Sequence, residues 1–171
     1  MLLDVGCGYN KFSVQRGDIH VDIQKPEISI RDFVLCDAHH LPFRRQIFDG
    51  CFFMDIVEHV DSPKGCLQEI AMVLKKHGWV ELSTPNPLHW RNIFSALRGK
   101  EPHDDNREHI ATWLSCNLIA LLRFSGFQVV QVSYSNISVT HHAVLDRLAF
   151  LLLPRVVGGH HLLAKAFIDR D

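Results

Sequence analysis

The sequence predicts an α/β protein built on a mostly parallel, doubly wound sheet with helices on both faces. Three observations predict it. Short apolar runs rich in branched residues alternate with stretches of helical period, the pattern of a parallel sheet covered on both sides. The chain opens on one such run, LLDVGCG at residues 2–8, in which two glycines stand one residue apart. The 171 residues, 47% of them apolar and 22% charged, suit a single hydrophobic core.

Taken in order, strands are expected at 2–6, 19–23, 33–37, 50–55, 78–84 and 127–134, with a last one at 161–168. Between the fourth and fifth, Ser62 is placed to cap a helix and Pro63 suits its first turn; Leu67, Ile70, Ala71 and Leu74 recur at helical spacing before Gly78 stops it. A second helix over 112–124 carries Leu114, Leu118, Leu121 and Leu122 on one face, with Gly126 beyond its end. A third is expected over 143–153, closed by Pro154. Only YNKFSVQRGD separates Gly8 from the second strand, so the first crossover is short where such folds have a full helix. No residues for a covering N-terminal helix precede the first strand, and a partner or a second copy of the chain, as in a homodimer, is expected to cover that part of the sheet. No repeat or linker divides the chain, so one domain over 1–171 is expected.

Composition excludes several classes. A net charge of -1 carries no surplus for nucleic acid. Cys7, Cys36, Cys51, Cys66 and Cys116 form no C-x-x-C pair and no disulfide framework, which fits a reducing cytoplasm. The longest apolar run, LAFLLL at 148–153, is far below the about 20 residues of a bilayer span.

Gly6 and Gly8 at the end of a central strand let a ligand approach the backbone. A dinucleotide fingerprint needs a third glycine where Lys11 stands, and Asp22 comes too early for the acidic residue about 20 positions on. Asp4, two residues before the loop, would repel a pyrophosphate and attract a cationic ligand. S-adenosylmethionine has a sulfonium, an ammonium, a ribose and an adenine, and no phosphate. Asp22 is placed to accept bonds from ribose hydroxyls, and Asp37-Ala38 to meet the adenine amino group.

With LLDVGCG (2–8), HVDI (20–23), CDAHHLPF (36–43), FDGCFFMDIVEHV (48–60), LKKHGWVELSTPNP (74–87) and REHIATWLSCNLIALLRFSGFQVVQV (107–132) in this order, the chain resembles the class I S-adenosylmethionine-dependent methyltransferases of small-molecule type, domain 11-like. The resemblance implies a Rossmann-like seven-stranded sheet with an antiparallel last strand and an acceptor lid over about 86–112. It implies that Asp4, Gly6, Gly8 and the following backbone, Tyr9 and Asn10, contact the methionine end of the cofactor. Asp22 falls on the family's second-strand acid with Ile23 flanking adenine, Asp37 on its third-strand carboxylate, and Met54 and Asp55 line the sulfonium region. The chain departs from the family in Asn10, where a third glycine is usual, and in the short crossover.

Two histidines are candidate catalytic bases: His59 in EHV after the fourth strand, and His109 in the lid. A metal needs three or four converging ligands, and His103, Asp104, Asp105 and His109 fall on an expected loop, so no metal is expected. MDIV stands where amino-methylating nucleic-acid enzymes carry an Asp/Asn-Pro-Pro-aromatic tetrad, and there is no Pro-Cys pair for cytosine chemistry. The expected function is methyl transfer (EC 2.1.1.-) to a small-molecule acceptor, leaving S-adenosylhomocysteine. A cofactor-binding but inactive partner or regulatory subunit is the alternative, and a nicotinamide-dependent oxidoreductase the third reading.

Overall fold

The computed structural model describes residues 1–8, 16–100, 109–135 and 149–169. Seven strands form one sheet: β1 (Leu2–Val5), β2 (Ile19–Asp22), β3 (Phe33–Leu35), β4 (Phe48–Met54), β5 (Leu74–Pro85), β6 (Phe127–Ser135) and β7 (His161–Ile168). Their order across the sheet is β3-β2-β1-β4-β5-β7-β6. β1 to β5 pair in parallel, and β7 lies antiparallel between β5 and β6. The expected Rossmann-like class, with its antiparallel last strand, is what the structure shows.

β1 lies between β2 and β4, with Leu3 facing both Ile19 and Cys51, and its Leu3, Asp4 and Val5 are all buried. A strand enclosed in this way is buried on both faces, which is why all of it but Asp4 is apolar. The core gathers Phe48, Cys51 and Phe53 of β4, Val80 and Leu82 of β5, and Leu162, Ala164 and Ala166 of β7.

Among the described residues the helices are α1 (Pro63–Val73), α2 (Trp90–Leu97), α3 (Ser115–Phe124) and the short α4 (Arg155–Gly158). α1 buries Cys66, Leu67, Ile70, Ala71 and Val73. Ser62 occupies its N-cap position, but its side chain makes no capping bond. The helix also ends before Gly78: Leu74 is extended, donates its amide to Ile70, and already pairs with Phe48 as the first residue of β5. Gly78 serves the strand instead, since a Cβ there would stand 2.9 Å from the Lys75 carbonyl oxygen. α3 begins three residues later than expected, because the segment before it is committed to the turn after β4. The Ile110 and Ala111 amides donate to the Glu58 carbonyl at 2.9 and 3.3 Å, and the Trp113 indole donates to Val57 at 3.3 Å. Leu118 and Leu122 are buried as expected, whereas Leu114 sits outside the helix and 39% exposed. Gly126 ends this unit with φ +90, the left-handed conformation for which glycine is suited.

α2 lies within the segment expected to form the acceptor lid, and none of its residues is buried. Of the helix over 143–153, residues 149–152 are helical, Leu153 is already a bend, and 143–148 lie outside the described residues, as does the crossover at 9–15.

Candidate active site

The carboxyl ends of β1, β2 and β4 meet at one edge of the sheet. There Gly6 and Gly8 adopt φ 73 and 81. The Gly6 and Cys7 amides both donate to the Val21 carbonyl, at 2.8 and 3.1 Å. The Gly8 amide donates to Asp22 Oδ2 at 2.9 Å, and Asp22 Oδ1 accepts from the Gln24 amide at 2.9 Å. Asp22 therefore fastens the glycine loop of β1 to the end of β2 and keeps lone pairs for further donors. Gly6 cannot be replaced simply: a Cβ there would stand 2.2 Å from Ile56 Cδ1, in a backbone conformation side chains avoid.

Asp4 is 2% exposed, and its Oδ2 accepts the Arg16 amide at 2.9 Å. Burial raises its pKa above the ordinary carboxylate range, against the Arg16 amide bond and the charges of His20 and Arg16. Burial, together with the charges of Asp4 and Asp22, pushes the Cys7 thiol up to about 12, so the cysteine in the loop is no nucleophile at neutral pH. Because the fold binds the Asp4 proton more tightly than the unfolded chain does, this group contributes stability below the unfolded carboxylate range. That contribution is lost as pH rises through the folded pKa. Asp4→Asn is accordingly expected to melt about 2–4 °C higher than wild type at neutral pH, with the difference narrowing toward acid. Thermal melts in the two ranges check it, and an unchanged or lower melting point at neutral pH would refute the burial argument.

Asp37, beyond β3, accepts the His39 amide at 2.9 Å and the His39 ring Nδ1 at 2.7 Å, both on Oδ1. These two bonds, the amide first, hold its pKa below the ordinary carboxylate range. Ala38 is half-buried, and Ile23 is 67% exposed beyond β2. Tyr9 and Asn10 lie outside the described residues.

On the other side of β1, Met54 ends β4 and Asp55 takes a left-handed φ of 54. The strain at Asp55 is held by three bonds to one residue. Its amide donates to the Ser83 carbonyl (3.0 Å) and to Ser83 Oγ (3.1 Å), and the Ser83 hydroxyl donates to Asp55 Oδ1 at 2.6 Å. Asp55 Oδ2 stands 3.7 Å from His161 Nε2. Neither Ser83 nor His161 stands out in the sequence as a site residue; they meet because β7 returns beside β5.

His59 and His109 do come together: their rings pack edge to face, with centroids 4.6 Å apart. The buried Glu58 stands with them, one ligand atom from each of the three lying within 4.8 Å of the others. This trio, not the set His103, Asp104, Asp105 and His109 named from the sequence, is the group among the described residues that could hold a metal ion. Asn86 is a further residue that sequence reasoning misses. It is 3% exposed and every polar group it has is used: Nδ2 donates to Val156 (2.8 Å) and Gly159 (2.7 Å), Oδ1 accepts the Leu88 amide (3.0 Å), and its own amide donates to His160 (2.9 Å). The one signal for it in the sequence is its place between two prolines in TPNP.

Residues 3–82 match the family profile of the methyltransferase domain. Among curated proteins, the chain is 25% identical to the biotin biosynthesis bifunctional protein BioHC of Teredinibacter turnerae, over 93% of this chain and 31% of that protein. It is 26% identical to the O-methyltransferase resE of Aspergillus sclerotiorum, over 76% of this chain and 55% of that one. The chain thus spans less than two thirds of the length of the curated relatives it matches. Among solved structures, a SAM dependent methyltransferase from Archaeoglobus fulgidus superposes with TM-score 0.65 at 20% identity, covering 97% of this chain and 85% of its own. The Burkholderia thailandensis 1,6-didemethyltoxoflavin-N1-methyltransferase, with 1,6-didemethyltoxoflavin and S-adenosylhomocysteine bound, superposes with TM-score 0.59 at 18% identity, covering 99% and 71%. Residues 3–82, from β1 into β5, thus resemble a methyltransferase domain, and the chain as a whole shares the fold of the S-adenosylmethionine-dependent methyltransferases on which it superposes.

Proposed function

We propose that this chain is one domain over 1–171 that transfers a methyl group from S-adenosylmethionine to a small-molecule acceptor. The observation that carries the reading is the clasp of Asp22 on the glycine loop beside the buried Asp4. The donor set suits that cofactor: Asp4, Gly6, Gly8, Tyr9 and Asn10 for its charged amino-acid end, Asp22 and Ile23 for ribose and the adenine face, Asp37 and Ala38 for the adenine edge, Met54 and Asp55 near the sulfonium. When bound, the cofactor supplies a methyl group activated on sulfur. The chain's part is chiefly to hold and align, since in-line displacement depends on proximity. The Ser83 clamp fixes Asp55, and the bonds from Ile110 and Ala111 to Glu58 fix the lid base against β4. His59 and His109, stacked at that junction, are the proposed acceptors of a proton from an acceptor hydroxyl.

A small-molecule acceptor is supported by the similar proteins named above, an O-methyltransferase and a 1,6-didemethyltoxoflavin-N1-methyltransferase. Among the described residues no helix is long and apolar enough to cross a membrane, and a cytoplasmic place and a homodimer are parts of this proposal. Calorimetric titration with S-adenosylmethionine, S-adenosylhomocysteine and NAD tests the reading. Micromolar binding of both adenosyl ligands and none of NAD is expected; binding of neither adenosyl ligand would overturn it.

A further inference from the structure

The segment Asp37 to Leu41 leaves β3 and runs to the foot of α1. Its first turn closes when Asp37 Oδ1 accepts the amide two residues on, the bond an aspartate makes in an Asx turn. The same oxygen then receives the His39 ring at 2.7 Å, while the other ring nitrogen, Nε2, stands 3.1 Å from Asp61 Oδ1. Both ring nitrogens thereby lie near carboxylates from two different connections, Asp37 after β3 and Asp61 just before α1. Around the ring, in a groove of about 960 Å³, stand Asp37, His40, Asp61 and Glu69, with Ser62 and Gln68 as neutral neighbours.

The consequence lies in what remains of Asp37. Both donors from His39 fall on Oδ1, so they fix the carboxylate plane and leave Oδ2 as an acceptor with no proton of its own. The depressed pKa of Asp37 agrees with this, because a carboxylate in that state can accept but never donate. Such a group receives an exocyclic amine and repels a carbonyl oxygen in the same place.

We infer that His39 is a positioning residue for base recognition: through its amide and its ring it locks Asp37 as a one-sided acceptor and so sets the preference for a 6-amino purine over a 6-oxo purine. The inference rests on the proposed placement of the adenine edge at Asp37, and it adds a residue two positions beyond that site. A site built around one hydrogen-bonding group rejects analogues that leave the group unpaired, so a loosened Asp37 discriminates less.

Calorimetry with S-adenosylhomocysteine and S-inosylhomocysteine, which has oxygen in place of the 6-amino group, tests it. Wild-type protein is expected to prefer the adenosyl ligand at least tenfold. His39→Ala should weaken the adenosyl ligand about five- to tenfold and leave the inosyl ligand within about twofold, so that the preference shrinks. His39→Asn places an amide N–H where the ring Nδ1–H was and should recover the wild-type preference to within about threefold. Once Asp37→Ala is in place, adding His39→Ala should change neither affinity further, as two residues acting through one contact require. A His39→Ala protein that keeps the full preference, or that loses both ligands equally, overturns the inference while the adenine placement stands. So does a His39→Asn protein that behaves as the alanine variant does. A wild type that binds both ligands equally overturns the placement of the base at Asp37, and one that binds neither overturns the cofactor reading; either result takes this inference with it.

Discussion

Asp22→Ala is expected to weaken S-adenosylhomocysteine binding about 100-fold and to lower the melting temperature as well. Two losses combine. In the proposed complex the carboxylate accepts from ribose hydroxyls, and hydrogen bonds to a charged group contribute about 1.5–3 kcal/mol each. In the structure itself it also holds the amides of Gly8 and Gln24, both at 2.9 Å. Removing it frees the glycine loop, whose two residues at positive φ have few other ties to β2 than the Val21 carbonyl. A conservative change separates the parts: Asp22→Asn retains one oxygen for one of the two amides and should bind about tenfold more weakly than wild type, with a smaller loss of stability than Asp22→Ala. Calorimetry and thermal melts on the two variants check this. An Asp22→Ala protein that binds the ligand as wild type does would mean that the loop, and not the carboxylate, makes the site.

The largest loss of stability from a single polar side chain is expected at Asn86→Ala. Two donor bonds and one acceptor bond of this 3% exposed amide would go, leaving the Val156 and Gly159 carbonyls and the Leu88 amide without their partner. A buried group stripped of its partner costs about 1–3 kcal/mol. Some of these will find water, so a loss of about 2–4 kcal/mol is expected, a fall of about 5–12 °C in melting temperature. Asn86→Asp should be no better, because a carboxylate there would face two carbonyl oxygens. Its bonds run to the segment leading into β7, so ligand binding measured well below the melting point should change less than in Asp22→Ala. A melting point within about 2 °C of wild type would show that the turn after β5 is held by its prolines instead.

The strands are legible in the sequence because burial on both faces leaves a run of branched residues that hardly depends on context. LLDV, IHVD and the alternating HLLAKAFI all stand within about two residues of their expected places. α1 is legible too, but not its end. Leu74 continues the helical spacing, yet its pairing with Phe48 across β4 takes it into the sheet, and no local pattern encodes that partner. α2 does carry a legible period, Trp90, Ile93, Phe94 and Leu97 at i, i+3, i+4 and i+7, which reading 86–112 simply as a lid passes over; that face is left unburied, Leu97 being 81% exposed. The site divides in the same way. Asp4, Gly6, Gly8, Asp22 and Asp37 are read from strand ends in LLDVGCG, HVDI and CDA. Ser83 and His161 are not, since only the antiparallel register of β5 and β7 brings them to Asp55.

That register also has a consequence for how the protein is made. β7 is inserted between β5 and β6, so β5 is complete long before its second neighbour exists, and β6 pairs with β7 alone. Roughly 80 residues must be added after β5 before its free edge is covered, about 4–16 s at usual rates of synthesis. For that interval the nascent chain presents the largely apolar run from Trp79 to Leu82 as an open strand edge, the kind of surface that pairs with other chains. Synthesis therefore passes through its most aggregation-prone state late, and completion of the sheet waits for the arrival of the Leu162 to Ile168 stretch.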